Sequence, residues 1–313
     1  MLGTTAVFLV ATALSGDLST AAQLSARPSL CAPRRARAGE ADAAGAWEQV
    51  REQAQQQICR RLARAQLELA ARPERALQLG QELARDLPAR AEPWVIQARA
   101  QTRRRAFADA WPLWEAAKQR GDEPRSAHAL HDYALCAALT EHAEAALASY
   151  RRLLPLLQAW PDPVDRQAIE LEAAVAAMRR GPEGLEEAAG QLGAARARAT
   201  STGLRAVAAG LSALWAARRG VAADSANRLD APEVWHFVES VQAERWPGHW
   251  PVLPPYELFG AAALLIEPYS DTLAAELWQR HSAGLEQVAA PAPWRALAAE
   301  RLGRSSTVRR SRP

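Results

Sequence analysis

Residues 91–124 read AEPWVIQARAQTRRRAFADAWPLWEAAKQRGDEP, and this stretch decides the fold. It contains two segments with apolar or alanine residues at helical spacing, joined by a short polar turn and closed by a Gly and a Pro. Small residues let two helices approach closely, and large ones fill the gap to a neighbouring pair. The positions that follow this pattern are Trp94, Ala98, Ala110, Trp114 and Ala117, at places 4, 8, 20, 24 and 27 of the stretch.

The same pattern recurs on both sides of this stretch. The preceding unit, 57–90, has Leu67, Ala76 and Pro88 at places 11, 20 and 32; the unit from Ala127 has Leu130, Tyr133, Ala134, Ala146 and Tyr150 at places 4, 7, 8, 20 and 24. Successive units therefore start 34 and 36 residues apart, which is typical of helical repeat proteins. The pattern resembles the tetratricopeptide repeat (TPR) family clearly over 57–158 and again over 255–281.

This resemblance implies an all-α fold: a right-handed α-solenoid of about six helix-turn-helix (TPR-like) pairs within residues 46–303, some of them degenerate. Residues that break helices separate the predicted helices at four places: Arg72-Pro73, Leu87-Pro88, Gly181-Pro182 and Gly220. An irregular Trp/Pro-rich loop near 244–256 interrupts them, because its prolines prevent a regular helix. A last helix around Trp294 to Leu302 would cap the array.

The excess of positive charge in this chain comes from its two ends, while the region between them is mildly acidic. The 313 residues include 38 basic and 35 acidic side chains. Residues 1–46 hold four Arg and three acids, and residues 301–313 hold five Arg and no acid, which leaves 29 basic against 32 acidic for 47–300. A nucleic-acid-binding domain usually carries a basic face of its own, so the sequence predicts no nucleic-acid partner. We expect 304–313 to be a basic, disordered tail.

The N-terminus has two interpretations. The run Ala6 to Leu14 is apolar, too short to span a bilayer, and followed by small residues, as in a signal peptide ending near residue 26. No Lys or Arg precedes this run, however, so a buried or frayed helix is the alternative. If the signal is real, the protein is exported to the periplasm or cell envelope; otherwise it is cytoplasmic. A disordered linker would follow at 27–45.

The TPR resemblance places candidate partner-binding residues on the first helix of each pair, which lines the concave face in that family. Arg61, Arg99 and Arg103 would suit acidic or carboxylate-bearing ligands through bidentate pairing. Simple surface solubility explains these arginines almost as well. The full set carried over from the family's pattern is Arg61, Glu68, Glu92, Val95, Arg99, Thr102, Arg103, His128, His131 and Leu135.

A second candidate surface is aromatic. Trp and His residues cluster around the Trp/Pro-rich loop and could form a platform for a glycan or a Pro-rich peptide. The alternative is that this loop folds over the repeats and hides its own aromatic side chains. The candidate residues are Trp235, Trp246, His249, Trp250 and Tyr256.

The sequence offers little for catalysis or metal binding. Lys118 is the only lysine, so no Gly-Lys-Ser/Thr phosphate loop exists. The three cysteines, Cys31, Cys59 and Cys136, have no metal-ligand spacing, and we expect buried free thiols at Cys59 and Cys136. We predict neither cofactor nor metal.

We expect Glu170 and Glu172 to lie on a solvated helix surface. If the protein were an enzyme, these two carboxylates would need to converge with Glu187 in one cavity.

The sequence thus predicts a non-catalytic protein–protein interaction scaffold that binds a peptide or protein segment in the groove of its solenoid. The alternative is an accessory subunit of a cell-envelope or polysaccharide system, with the Trp-rich loop contacting glycan.

Overall fold

The computed structural model describes residues 43–121, 124–159, 163–198, 201–221, 229–244, 251–288 and 290–310. Every regular element within these ranges is a helix, and no strand occurs among them, which confirms the all-α class. Two compact units divide the chain, one within Met1–Cys136 and the other within Ala137–Pro313. The predicted signal segment, 1–26, and nearly all of the predicted linker lie outside the described residues.

The first unit is built from helices α1 (Ala43–Ala71), α2 (Pro73–Asp86), α3 (Glu92–Arg103), α4 (Phe107–Gln119) and α5 (Ala127–Leu139), of which α5 crosses the division at residue 136. Helices α1 to α3 each pack against the next one in the chain, and α1 also packs against α3. Contacts between near neighbours in sequence are what a chain of helical hairpins produces.

Four of the five large and small residues named in 91–124 are buried, as their spacing predicts, whereas the first of them, Trp94, is only half-buried. Ala98 and Ala110 have no exposed surface, and Trp114 and Ala117 are almost fully buried. Trp114 meets Tyr133 of α5 edge-on, with ring centroids 5.3 Å apart. The large residue therefore fills the space between one helix pair and the next, while the alanines permit the close approach of α3 and α4.

Proline and positive-φ residues separate these helices at the predicted breaks. Pro73 lies in the first turn of α2, where its missing N–H breaks no helical hydrogen bond. Arg105 adopts a positive φ of 61° in the turn between α3 and α4. Gly121, with φ of 80°, follows the end of α4, because glycine reaches this left-handed conformation without strain.

The second unit continues with α6 (Ala143–Leu153), a 3₁₀ turn (Leu154–Ala159), α7 (Pro163–Arg179), a 3₁₀ turn (Pro182–Gly184), α8 (Leu185–Ala197), α9 (Thr202–Arg219), α10 (Ala231–Gln242), α11 (Pro255–Ile266), α12 (Asp271–Gln287) and α13 (Ala292–Arg310). Side chains cap three of these helices at their N-termini: Ser201 for α9, Asp230 for α10 and Ser270 for α12. Each accepts a hydrogen bond from an otherwise unpaired backbone N–H.

The core of the second unit draws on α6 through α13 and on the irregular segment before α11. Leu253 of that segment is buried in the same core cluster as Phe237 of α10 and Trp278 of α12. Trp294 of α13 is 2% exposed and donates from its indole N–H to the backbone carbonyl of Met178, 3.1 Å away. The last helix therefore contributes Trp294 to the core and contacts the C-terminal end of α7.

Two details of the chain differ from, or add to, the sequence-based expectations. Cys136 is a free, buried thiol as expected, but Cys59 is disulfide-bonded. The backbone of residues 304–310, in the predicted tail, is helical and belongs to α13.

No helix in the described part of the chain is both long enough and apolar enough to cross a membrane.

Candidate functional site

A ladder of three polar side chains links α1, α3 and α5 within the first unit. The Arg99 guanidinium donates from Nε to Asp132 Oδ2 at 2.7 Å and from Nη1 to Gln66 Oε1 at 3.0 Å. Gln66, Arg99 and Asp132 are each 33 residues apart, and all three are buried. This spacing differs from the 34 and 36 residues that separate the predicted units, so the three residues fall at places 10, 9 and 6 of those units and are not equivalent positions of the repeat pattern.

Two arginines share the carboxylate at the end of the ladder. Arg103, one helical turn after Arg99, places its Nε 3.8 Å from the same Asp132 Oδ2 and keeps a quarter of its side chain exposed. Burial alone would raise the pKa of Asp132, but Arg99 and Arg103 together hold this pKa below its ordinary value. Asp132 is therefore ionised at neutral pH, and the pair of arginines outweighs its single charge.

The predicted groove residues fall into two groups. Val95, Arg99 and Thr102 are buried on α3, and Thr102 Oγ donates to the Ala98 carbonyl at 2.9 Å. Such residues hold the helices together, and of the three only Arg99 keeps an unpaired polar atom, Nη2. The partly exposed members of the set are Arg61, Glu68, Glu92, Arg103, His128 and His131, while Leu135 is buried.

Several of the exposed candidates already have ionic partners. Arg61 Nη1 lies 2.6 Å from Asp86 Oδ2, and Arg72 donates to both carboxylate oxygens of Glu68, at 2.7 and 3.0 Å. These are surface pairs of helices α1 and α2, each worth less than about 1 kcal/mol. The structure brings Arg99, Arg103 and His131 together around Asp132, and it places Arg61 and Glu68 in separate pairs.

The aromatic candidates do not form one described platform. Trp235 of α10 is 38% exposed, whereas Tyr256 at the start of α11 is buried, with its hydroxyl unpaired. Trp246, His249 and Trp250 lie outside the residues that the structure describes. The buried position of Tyr256 matches the interpretation in which this region hides its aromatic side chains.

The second unit contains a buried ion pair that sequence reasoning missed. Arg218 of α9 and Glu257 of α11 are 0% and 1% exposed, and Arg218 Nη2 donates to Glu257 Oε2 at 2.7 Å. The Arg218 guanidinium also faces the ring of Trp294, 5.0 Å from its centroid, while its Nε and Nη1 have no protein partner. Single charged residues in alanine-rich helices carry no sequence signal of burial, so this pair was not predictable.

A buried histidine adjoins the same pair. His281 of α12 places Nδ1 2.6 Å from the Tyr256 carbonyl, and its Nε2 has no protein partner. Gly260 makes room for this ring, because a side chain there would begin 2.8 Å from it. Burial lowers the pKa of His281 to about 4, with Glu257 opposing and Arg218 assisting that shift. The imidazole is therefore neutral at pH 7.

The expectation of solvated carboxylates on α7 is wrong. Glu170 and Glu172 are buried, and each has its own partners. Glu170 pairs with Arg198, and its burial raises its pKa above the ordinary value. Glu172 Oε1 accepts from the Val252 backbone N–H at 2.8 Å, and its Oε2 accepts from the Tyr150 hydroxyl at 3.3 Å. Glu187, the third acid of the proposed catalytic group, instead pairs with Arg151 at the surface.

The remaining reactive group is the Cys136 thiol. It lies 3.5 Å from the Phe107 carbonyl, and burial raises its pKa to about 12. A thiol that stays protonated at neutral pH is a poor nucleophile. Among the described residues, no group of three or more His, Cys, Asp or Glu side chains is arranged to hold a metal ion.

Comparison with known proteins adds no relative: no protein-family model matches the chain, and no curated protein matches it significantly.

Proposed function

We propose that the protein is a non-catalytic interaction scaffold, a right-handed solenoid of TPR-like helix pairs that binds an acidic peptide or protein segment. The ladder of Gln66, Arg99 and Asp132 supports an array of helix pairs, because it joins every second helix of the first unit, α1, α3 and α5. The buried alanines and Trp114 support it as well, since they fill the places that the family reserves for small and large residues.

The binding surface is a ledge formed by Arg103, His128 and His131, called the cationic ledge because Arg103 carries a positive charge. The observation that carries it is the sharing of Asp132 by two arginines. Arg99 holds this carboxylate at 2.7 Å from a buried position, so the more distant and partly exposed Arg103 retains guanidinium donors for a partner. A guanidinium can bind a carboxylate with two parallel hydrogen bonds, which favours Asp, Glu or a chain-terminal carboxylate in the partner.

The test is a selection of peptides from a random 12-residue library on the wild-type protein, followed by affinity measurements on variants. Arg103→Glu reverses the charge of the ledge. Arg85→Glu makes the same charge change on the exposed face of α2 and serves as the matched control. We expect selected peptides rich in Asp and Glu that bind the control like wild type and lose at least tenfold in affinity on Arg103→Glu.

Two outcomes would contradict the proposal. One is a set of selected peptides without acidic enrichment, and the other is equal loss of affinity in both variants, which would indicate only long-range charge attraction. Circular dichroism of each variant separates loss of binding from loss of folding.

A further inference from the structure

Helix α7 of the second unit is buried on all of its sides. Twelve consecutive residues, 167–178, are buried, and they span more than three helical turns. A helix covered by its hairpin partner alone would keep an exposed stripe. Besides α8, helices α6 and α9 pack against α7. A further part of its cover is a non-helical segment that donates a hydrogen bond to Glu172.

This further cover includes a short irregular segment, residues 251–254, called here the strap. Its Pro251, Leu253 and Pro254 are buried, and Val252 is half-buried. At its end, Pro254 has φ of −57° and ψ of 128°, close to polyproline II geometry. The strap therefore lies against the second unit in the manner of a bound peptide, with an apolar side chain in the core and irregular backbone.

The strap has few hydrogen-bond donors, and α7 binds one of them. Three of the five residues 251–255 are prolines, so only Val252 and Leu253 carry a backbone N–H. The Val252 N–H donates to Glu172 Oε1 at 2.8 Å. Recognition of a proline-rich segment typically combines apolar contacts with a few such hydrogen bonds, because the segment is already extended and loses little entropy on binding.

The other side of Glu172 is fixed by Tyr150. Its hydroxyl donates to Glu172 Oε2 at 3.3 Å, and burial raises the pKa of Tyr150 well above its ordinary value, so this donor stays protonated. A buried carboxylate is costly unless it is hydrogen-bonded. Glu172 would lose its Val252 partner if the strap left, and it would then favour any other extended backbone that offers an N–H at the same place.

We propose that the face of α7 around Glu172 and Tyr150 is a binding site for extended peptides with two apolar residues flanked by prolines, and that the strap is its intramolecular occupant. A partner segment with this pattern competes with the strap. Because a tethered segment acts at an effective concentration in the millimolar range, the site binds added peptide weakly until the strap is weakened. This site belongs to the second unit and does not depend on the cationic ledge.

The experiment measures binding of a fluorescein-labelled peptide, Pro-Val-Leu-Pro-Pro, to full-length variants by anisotropy. Val252→Pro removes the N–H that Glu172 accepts, and Val252→Ala retains it as the matched control. We expect Val252→Pro to bind the peptide at least tenfold more tightly than wild type, and Val252→Ala to bind like wild type. Adding Glu172→Ala to Val252→Pro should abolish this gain.

A second variant provides an independent test in case Val252→Pro does not fold. Leu253→Ala removes a buried side chain of the strap and leaves both N–H groups, and it should also increase peptide binding. If folded Val252→Pro binds the peptide no better than wild type, the strap is a fixed part of the core and the proposal is wrong. The same conclusion follows if both Val252→Pro and Leu253→Ala unfold the protein.

Discussion

Two buried ion pairs, one in each unit, differ in their surroundings. In the first unit, Arg99 and Asp132 belong to the ladder, and a second, partly exposed arginine, Arg103, lies 3.8 Å from the same carboxylate. In the second unit, both side chains of the pair Arg218–Glu257 are buried. Arg99 thus shares its carboxylate with an arginine that solvent can reach, whereas Arg218 and its carboxylate are both enclosed in the fold.

The largest effect is expected at Arg218. Arg218→Met leaves Glu257 as an unpaired buried carboxylate, so the free energy of unfolding should fall by about 3–5 kcal/mol in urea titrations. The control is Arg151→Met, which breaks the surface pair with Glu187 and should cost less than about 1 kcal/mol.

A double variant sharpens this prediction. Arg218→Met combined with Glu257→Met removes both charges and should recover most of the lost stability. A double variant as unstable as Arg218→Met alone would show that packing rather than unpaired charge causes the loss.

The next largest effect is expected in how the free energy of unfolding of the second unit depends on pH. His281 has a pKa of about 4 in the folded protein against an ordinary value of 6.5, so unfolding takes up a proton between these pH values. Stability contributed by the neutral ring is fully present above pH 6.5 and is lost as the pH falls towards 4, by roughly 3 kcal/mol in total. Denaturation series at pH 7.5, 5.5 and 4.5 measure this loss.

His281→Phe provides the comparison, because it cannot titrate. The free energy of unfolding of this variant should change less with pH than that of the wild type between pH 6.5 and 4, even if the variant is more or less stable overall. Parallel curves for the variant and the wild type would show that His281 does not cause the acid sensitivity.

A smaller effect is expected in the ladder. Arg99→Met removes the 2.7 Å bond to Asp132 and the bond to Gln66, but Arg103 stays near the carboxylate. We therefore expect a loss of about 2 kcal/mol, less than for Arg218→Met. Hydrogen exchange should increase first in α1, α3 and α5, which the ladder connects. An increase in hydrogen exchange confined to α3 would show that the ladder does not stabilise α1 and α5.

The sequence predicted helices well and side-chain partners poorly. Prolines and glycines such as Pro73, Gly121 and Gly220 mark real helix ends, because they act through the local backbone. The burial of Ala98 and Trp114 was also predictable, since it follows from periodic spacing.

Partners distant in sequence were not predictable. Nothing local distinguishes the buried Arg99 from the exposed Arg104, or the buried Glu172 from the surface acid Glu186. Their environments depend on residues 33 and 80 positions away in the chain, Asp132 for Arg99 and Val252 for Glu172. Only the structure shows which of these polar residues bond to each other.

We propose that Arg99 stabilises the fold, whereas Arg103 binds a partner. The most direct measurement takes both the urea midpoint and the affinity for a selected acidic peptide on Arg103→Gln. We expect this variant to lose affinity severalfold or more, with its free energy of unfolding changed by less than about 1 kcal/mol. Unchanged peptide affinity together with a stability loss as large as that of Arg99→Met would contradict it.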